Sequence, residues 1–330
     1  MEKKFKAFFV NKDQKNNQIN KILDISKSEL MDGNVVVKVN YSSLNYKDGL
    51  AITGKIPVIK SWPMIPGVDF SGEVLESSHS NIKVGDEVIL NGWGVGEKHY
   101  GGYSEIARVN GDWLIKLPKK FSQEQAMIIG SAGYTAMLCV MAIQNDIKPT
   151  DGEILVTGAS GGVGSVAVHL LSTLGYSVVA STGKDNEYEY LISIGAKKVI
   201  DRKNLDKQNP KPLAKETWAG AIDSVGGNTL SNILSETKYG GVIASTGLAQ
   251  SHVLNTTVFP FILRNITMKG IDSVQTLIEK RKLAWDKLAE LINIKLLESM
   301  KIVKKLDDLN FMGNEIIKGK VTGRVVIKIS

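Results

Sequence analysis

The sequence predicts an α/β chain with two parts, a doubly wound parallel sheet and a mainly antiparallel, partly barrel-like β domain. Three observations predict it. From Ile154 to Ser245 short apolar runs alternate with helical patterns, which builds a parallel sheet. From Lys6 to about Pro118, glycine- and proline-bearing turns separate strand-like runs. At Gly158-Ala159-Ser160-Gly161-Gly162-Val163-Gly164 an apolar run turns into glycines, and Val166, Ala167, Leu170 and Leu171 follow at helical spacing. A Rossmann-type sheet delivers the chain to a helix N-terminus in this way.

The elements follow in order. Val35–Val39, Gly72–Leu75 and Asp86–Leu90 read as strands, with Gly85-Asp86 at the turn before the third. Ser122 with Gln125 reads as a capping box that opens a helix reaching Ile143. The apolar stretch Ala126–Ile143 is broken by Gly130, Ser131, Gly133 and Thr135, and so reads as a buried helix rather than a membrane span. Strands follow at Ile154–Val156, Ser177–Ala180, Lys198–Ile200, Ala219–Asp223 and Gly241–Ser245, with helices to Leu174 and near Tyr188–Ile194. A helix spans about Gln275–Ile294, and Arg324–Ile329 reads as a strand that returns to the first domain. These signals divide the chain into residues 1–121 with 298–330, a substrate domain, and residues 122–297, a cofactor domain.

Composition excludes several function classes. The 330 residues carry 43% hydrophobic and 23% charged side chains, as a globular protein does. The net charge is +7, but the 36 lysines outnumber the 5 arginines and are scattered, so no nucleic-acid surface is expected. Met1 to Val10 holds too few apolar residues for a secretory signal, and a cytoplasmic location is the expectation. With one cysteine, Cys139, and four histidines at unpaired spacing, no disulfide and no metal site are expected.

The glycine turn implies a dinucleotide diphosphate, cradled by Ser160, Gly161, Gly162 and Val163 at the helix N-terminus. The fingerprint is loose, with Ala159 in the place of the first glycine. An NAD site wants an acid about 20 residues on, for the ribose 2′-hydroxyl. Here the next strand ends Ser181-Thr182-Gly183-Lys184, with no acid before Asp185. Hydroxyls and a cation suit a 2′-phosphate, and Arg202, after the third strand, could close its other side. The expected cofactor is NADPH. Asp223 reads equally as a cofactor contact or as a turn residue.

Ser42-Ser43-Leu44-Asn45-Tyr46-Lys47-Asp48, Pro66-Gly67-Val68-Asp69-Phe70-Ser71-Gly72, Gly158–Gly164 and the Gly85-Asp86 turn together resemble the medium-chain dehydrogenase/reductase superfamily, over essentially the whole chain. Gly92–Glu97, Gly101-Gly102-Tyr103, Ala126–Met141 and Pro260–Asn265 resemble its acryloyl-CoA reductase branch, also known as zinc-free quinone oxidoreductases. Zinc members carry a metal-ligand cysteine where Asn45 stands, a histidine where Asp69 stands, and a four-cysteine lobe that this chain lacks. The resemblance therefore implies metal-free reduction of acryloyl-CoA to propanoyl-CoA by NADPH, with hydride to Cβ and a proton to Cα. An NADPH-dependent quinone or enone reductase is the alternative.

The resemblance also sets Tyr46 against the cofactor, as proton donor or as a group that orients the ring while water supplies the proton. Asn45 could bond the ribose or the substrate carbonyl. Leu248, Ile262 and Ser273 are implied cofactor contacts, and Lys318 stands where relatives have an asparagine. Trp93, His99 and Tyr100 read as a pocket wall or as local packing, with His99 a lesser candidate acid. Lys55, Lys60 and Arg264 could meet CoA phosphates, but read more simply as surface cations. The partners implied are a small acyl-CoA and a second copy of the chain, joined through Asn265–Gly270; neither a nucleic acid nor a membrane is expected. A non-enzymatic NADPH-binding protein would not need Tyr46 and Asn45, so their presence favours an enzyme.

Overall fold

A computed structural model describes residues 3–208 and 211–330. Two of the residues read above as the N-terminal start, Met1 and Glu2, lie outside the described range. The chain forms two compact units.

The β unit comprises residues up to Ser131, together with Ser273–Ala289 and Asn293–Ser330. Its first strands are β1 (Phe5–Lys12), β2 (Gln18–Ile25) and β3 (Val35–Leu44). Helix α1 (Tyr46–Thr53) follows, then β4 (Asp69–Ser77), β5 (Glu87–Asn91), β6 (Ile106–Val109) and β7 (Ile115–Lys116). β3 carries Val35, Val36, Val37 and Val39, all buried. β-branched side chains suit a pleated surface, and each one buried is worth about 1.5–3 kcal/mol. Antiparallel pairing runs β3 with β4, β4 with β5, β5 with β7, and β6 with β3.

Helix α2 (Gln123–Gln144) crosses from this unit into the other. Its start bears out the capping box: Gln125 N–H donates to Ser122 Oγ at 3.2 Å, and Ser122 N–H to Gln125 Oε1 at 3.0 Å. The helix is long and apolar enough to cross a bilayer, and its side chains are mostly buried within the protein. At Gly130 the backbone leaves helical geometry, with φ 52° and ψ −161°. A side chain there would collide with Arg324 and Ser43, so only glycine fits the kink.

The α/β unit comprises Ala132–Asp272 and Glu290–Ile292. It holds β8 (Glu153–Val156), α3 (Gly162–Thr173), β9 (Ser177–Thr182), α4 (Tyr188–Ser193), β10 (Lys198–Asp201) and β11 (Trp218–Asp223). After them come α5 (Gly227–Glu236), β12 (Thr237–Ser245), α6 (Phe259–Arg264) and β13 (Thr267–Gly270). Its six strands are all parallel, in the order β10-β9-β8-β11-β12-β13. Numbered from β8 this is 3-2-1-4-5-6, the doubly wound order expected from the alternating runs. Ile154, Leu155, Val156 and Ala221 are fully buried, as strands covered on both faces must be.

The remaining elements are α7 (Ile278–Leu291), α8 (Ile294–Ser299), β14 (Lys301–Lys305), α9 (Leu309–Ile317) and β15 (Arg324–Lys328). β15 pairs antiparallel with β3 and parallel with β14, so the tail returns to the β unit as its sequence suggests. The sequence division ran the cofactor domain from 122 to 297. By contact, residues 273–289 pack instead with the β unit, for a reason local sequence hides. The buried Arg281 Nη1 donates to the carbonyl of Asn91 at 2.6 Å, and Trp285 Nε1 to Asn91 Oδ1 at 3.1 Å. Together they bind α7 to the end of β5.

Candidate functional site

In the α/β unit the glycine turn leads from β8 into α3, whose N-terminus carries Ser160 to Val163. Gly158 takes φ 57°, a left-handed conformation, and its carbonyl accepts the N–H of Gly161 at 2.9 Å. A side chain at Gly164 would collide with that same carbonyl, so the third glycine is required by close packing of helix on turn. The first glycine of the fingerprint is dispensable here, because Ala159 is buried and extends its N–H to the carbonyl of Ser181 at 3.1 Å. A helix of this length with free first-turn N–H groups favours a diphosphate.

The strand end predicted to read the ribose joins this turn. Ser160 Oγ and Thr182 Oγ1 lie 3.2 Å apart, and Lys184 N–H donates to Thr182 Oγ1 at 3.2 Å. Gly183 lies flush against the Arg202 guanidinium, where any side chain would collide. Arg202, from the third strand, and Ser181–Lys184, from the second, thus meet in one place. Burial lowers the Lys184 pKa, and Glu187 opposes that shift. Two cations together with the hydroxyls of Ser181 and Thr182 fit an anion such as a 2′-phosphate. Asp223 is spent locally: it accepts from Thr157 Oγ1 at 2.7 Å and from Gly226 N–H at 2.9 Å, which makes it the turn residue.

Leu248 and Ile262 also lie in this unit and are exposed. Ser273 does not: it belongs to the β unit, where its carbonyl accepts from Arg281 at 3.3 Å. Arg264 is no free cation for a phosphate. It donates to the carbonyls of Ser235 at 2.7 Å and Thr237 at 3.2 Å, and pairs with Glu216 at 3.2 Å. Lys318 caps α9 and pairs with Glu315 at 3.4 Å.

In the β unit, Tyr46 is the first residue of α1 and is 40% exposed. Asn45, its N-cap, is held by a buried polar cluster. Asn45 Nδ2 donates to Ser43 Oγ at 3.1 Å, Asp48 Oδ2 at 3.2 Å and Asp69 Oδ2 at 3.1 Å. Its Oδ1 accepts from Arg324 Nη1 at 3.3 Å. The amide is thus engaged through both its nitrogen and its oxygen, which makes Asn45 a positioning residue for Tyr46.

Asp69, fully buried, is the hub of the cluster. It accepts from Ser43 N–H at 2.9 Å, Ser131 N–H at 2.6 Å and Ser43 Oγ at 2.8 Å. Arg324, also buried, donates to Ser43 Oγ at 2.9 Å and to the Ile128 carbonyl at 2.7 Å. Asp48 accepts from Asn45 N–H at 2.9 Å and Val68 N–H at 3.0 Å. Burial, reinforced by the neighbouring Asp69, raises its pKa to about 7, against these hydrogen bonds.

The zinc positions of the wider superfamily fall inside this cluster, and the residues present do not fit that metal. Around Asp69 an incoming dication would meet amide and hydroxyl hydrogens and a guanidinium, not a set of lone pairs. Among the described residues no group of three His, Cys, Asp or Glu is placed to hold a metal ion. His99 is part of local packing. Its ring nitrogens face the carbonyls of Tyr100 at 3.1 Å and Asp32 at 3.0 Å, and its ring stands edge-on to Trp113.

The sequence reading missed Asp48, Asp69, Ser131 and Arg324 as one constellation. An arginine at the head of an apolar terminal strand was the available signal, since a buried charge needs partners.

Comparison with known proteins agrees with both units. Residues 162–292 match the family described as zinc-binding dehydrogenase, and residues 31–119 the alcohol dehydrogenase GroES-like domain. The chain is 49% identical to the probable acrylyl-CoA reductase AcuI of Escherichia coli, over 93% of this chain and 94% of that one. It is 40% identical to the putative quinone oxidoreductase YhfP of Bacillus subtilis, over 92% and 93% of the two chains. The crystal structure of the YhdH oxidoreductase from Salmonella enterica in complex with NADP superposes with a TM-score of 0.96 at 46% identity, covering 98% of this chain and all of that one. The chain belongs to the medium-chain dehydrogenase/reductase family, in the branch of the acrylyl-CoA reductases and YhfP-type quinone oxidoreductases.

Proposed function

We propose that this protein is an NADPH-dependent, zinc-independent reductase that converts acryloyl-CoA to propanoyl-CoA. The near full-length likeness to an acrylyl-CoA reductase carries the reading, and the residues supply a chemistry for it. Lys184, Arg202, Ser181 and Thr182 would hold the 2′-phosphate, and the N–H groups from Ser160 to Val163 the diphosphate. When bound, the dihydronicotinamide supplies a hydride, which this substrate takes at its β-carbon. Tyr46 offers its hydroxyl proton to the α-carbon, while the substrate's own thioester oxygen takes the developing charge. Asn45, fixed by Asp48, Asp69 and Arg324, holds the start of α1 and with it the tyrosine. A quinone or enone as acceptor is the second reading, supported by the YhfP likeness.

The test is NADPH and NADH oxidation by the wild-type and Lys184→Ala chains, with acryloyl-CoA, crotonoyl-CoA and a benzoquinone as acceptors. Acryloyl-CoA is expected to turn over fastest. Turnover of the quinone alone would refute the thioester reading. Losing one charged hydrogen-bond donor should raise the KM for NADPH roughly tenfold in Lys184→Ala and leave NADH within about twofold. Equal effects on both coenzymes would remove the 2′-phosphate assignment.

The same proposal extends to a cytoplasmic homodimer. β13 is an edge strand with all four residues exposed, and Phe259, Ile262 and Leu263 on α6 are exposed apolar side chains. An edge of this kind pairs readily with its own copy. Light scattering should give twice the chain mass, and a monomer at micromolar concentration would contradict it.

A further inference from the structure

A cavity of about 320 Å³ opens in the β unit, lined by the β1–β2 turn, the end of α1 and the loop after it. Trp62 forms one wall and is 37% exposed, and the Lys12 ammonium sits 5.0 Å from the centroid of its ring. Lys12 is the one charged residue of the lining. The floor is rigid. Gln18 Nε2 donates to the carbonyls of Ala51 at 2.9 Å and Ile52 at 2.6 Å, while Gly54 takes φ 65° against the Gln18 amide. The turn is pinned by Asp13 Oδ1, which accepts the N–H groups of Lys15 and Asn17 at 2.8 Å each.

The cavity stands in a fixed relation to Tyr46. Thr53, in its lining, follows Tyr46 by seven residues on α1, two turns along the same helical face. That separation is about 10 Å along the axis.

We propose that this cavity receives the adenosine 3′,5′-bisphosphate end of a coenzyme A thioester. The inference rests on the acyl-CoA reading above. A purine finds the Trp62 indole as a stacking surface. Lys12, on a flexible four-carbon stem, leaves the ring to pair with a phosphate as the purine takes its place. The pantetheine arm, about as long as four or five extended residues or roughly 15 Å, is long enough to cover the axial distance from Thr53 to Tyr46. An aromatic platform and one cation in a lining without acids suit a phosphorylated purine, and a small quinone would use neither.

The experiment compares Trp62→Ala, Trp62→Leu and Lys12→Ala with wild type, using acryloyl-CoA and acryloyl-pantetheine, which lacks the nucleotide. Each variant should raise the KM for acryloyl-CoA about tenfold, the size expected of one lost stack or ion pair. The KM for acryloyl-pantetheine and for NADPH should stay within about twofold. Unchanged acryloyl-CoA kinetics, or an equal loss on both thioesters, would overturn the proposal. Calorimetry with adenosine 3′,5′-bisphosphate at saturating NADPH separates this inference from the reading beneath it. Binding that disappears in Lys12→Ala supports the site even in a chain that reduces only quinones. Turnover of acryloyl-CoA without binding at Trp62 overturns the site and leaves the activity standing.

Discussion

Replacing Arg324 by alanine is expected to destabilise the protein by about 3–5 kcal/mol, the usual cost of removing one partner from a buried charge cluster. Arg324 is 2% exposed, and Ser43 and Asn45 stand between its guanidinium and the buried Asp69 and Asp48. Without it the cluster keeps two carboxylates, and the Ile128 carbonyl beside the Gly130 kink loses its donor. Denaturant titration measures the loss, and a change under about 1 kcal/mol would show that the charge is not needed. The same titration across pH reads Asp48. Its folded pKa, about 7, lies above the ordinary value near 3.9, so the native state binds more protons than the unfolded chain between the two. Its stabilising contribution is therefore full below about pH 4 and is lost as pH rises through 7. Asp48→Asn keeps the oxygen that accepts from Val68 and should flatten that slope; an unchanged slope would assign it to other groups.

Tyr46→Phe is expected to lower kcat with acryloyl-CoA roughly a hundredfold, near the low end for loss of a general acid. Stability should be unaffected. The side chain is 40% exposed, and among the described residues no hydrogen bond holds its hydroxyl. The phenyl ring keeps the shape and removes only the hydroxyl, so the loss should fall on kcat and leave the KM for NADPH within about twofold. A rate within twofold of wild type would return Tyr46 to a packing role and leave the proton to water.

Much of the fold was legible because its signals are local. A buried parallel strand writes itself as Ile154-Leu155-Val156, a helix start as Ser122 and Gln125, and a returning strand as the apolar tail from Arg324. Even the meeting of Ser181–Lys184 with Arg202 followed from strand order, since neighbouring parallel strands bring their ends together. The division of the chain was less legible. α7 has an ordinary helical pattern, and only its contacts with Asn91 show which unit it joins. Ser273 moved with it.

The two architectures, the glycine-lined helix start, the hydroxyl-and-cation loop and the tyrosine at the head of α1 can be read from the chain alone. Each is a matter of periodicity or of groups a few residues apart. Tertiary structure alone decided what holds that tyrosine. Ser43 and Arg324 are 281 residues apart, and Asp69 and Ser131 are 62 apart, yet they close one cluster around Asn45. Such a cluster leaves no period in the sequence, because its members are selected by mutual charge and hydrogen bonding in a buried space that exists only after the strands have paired.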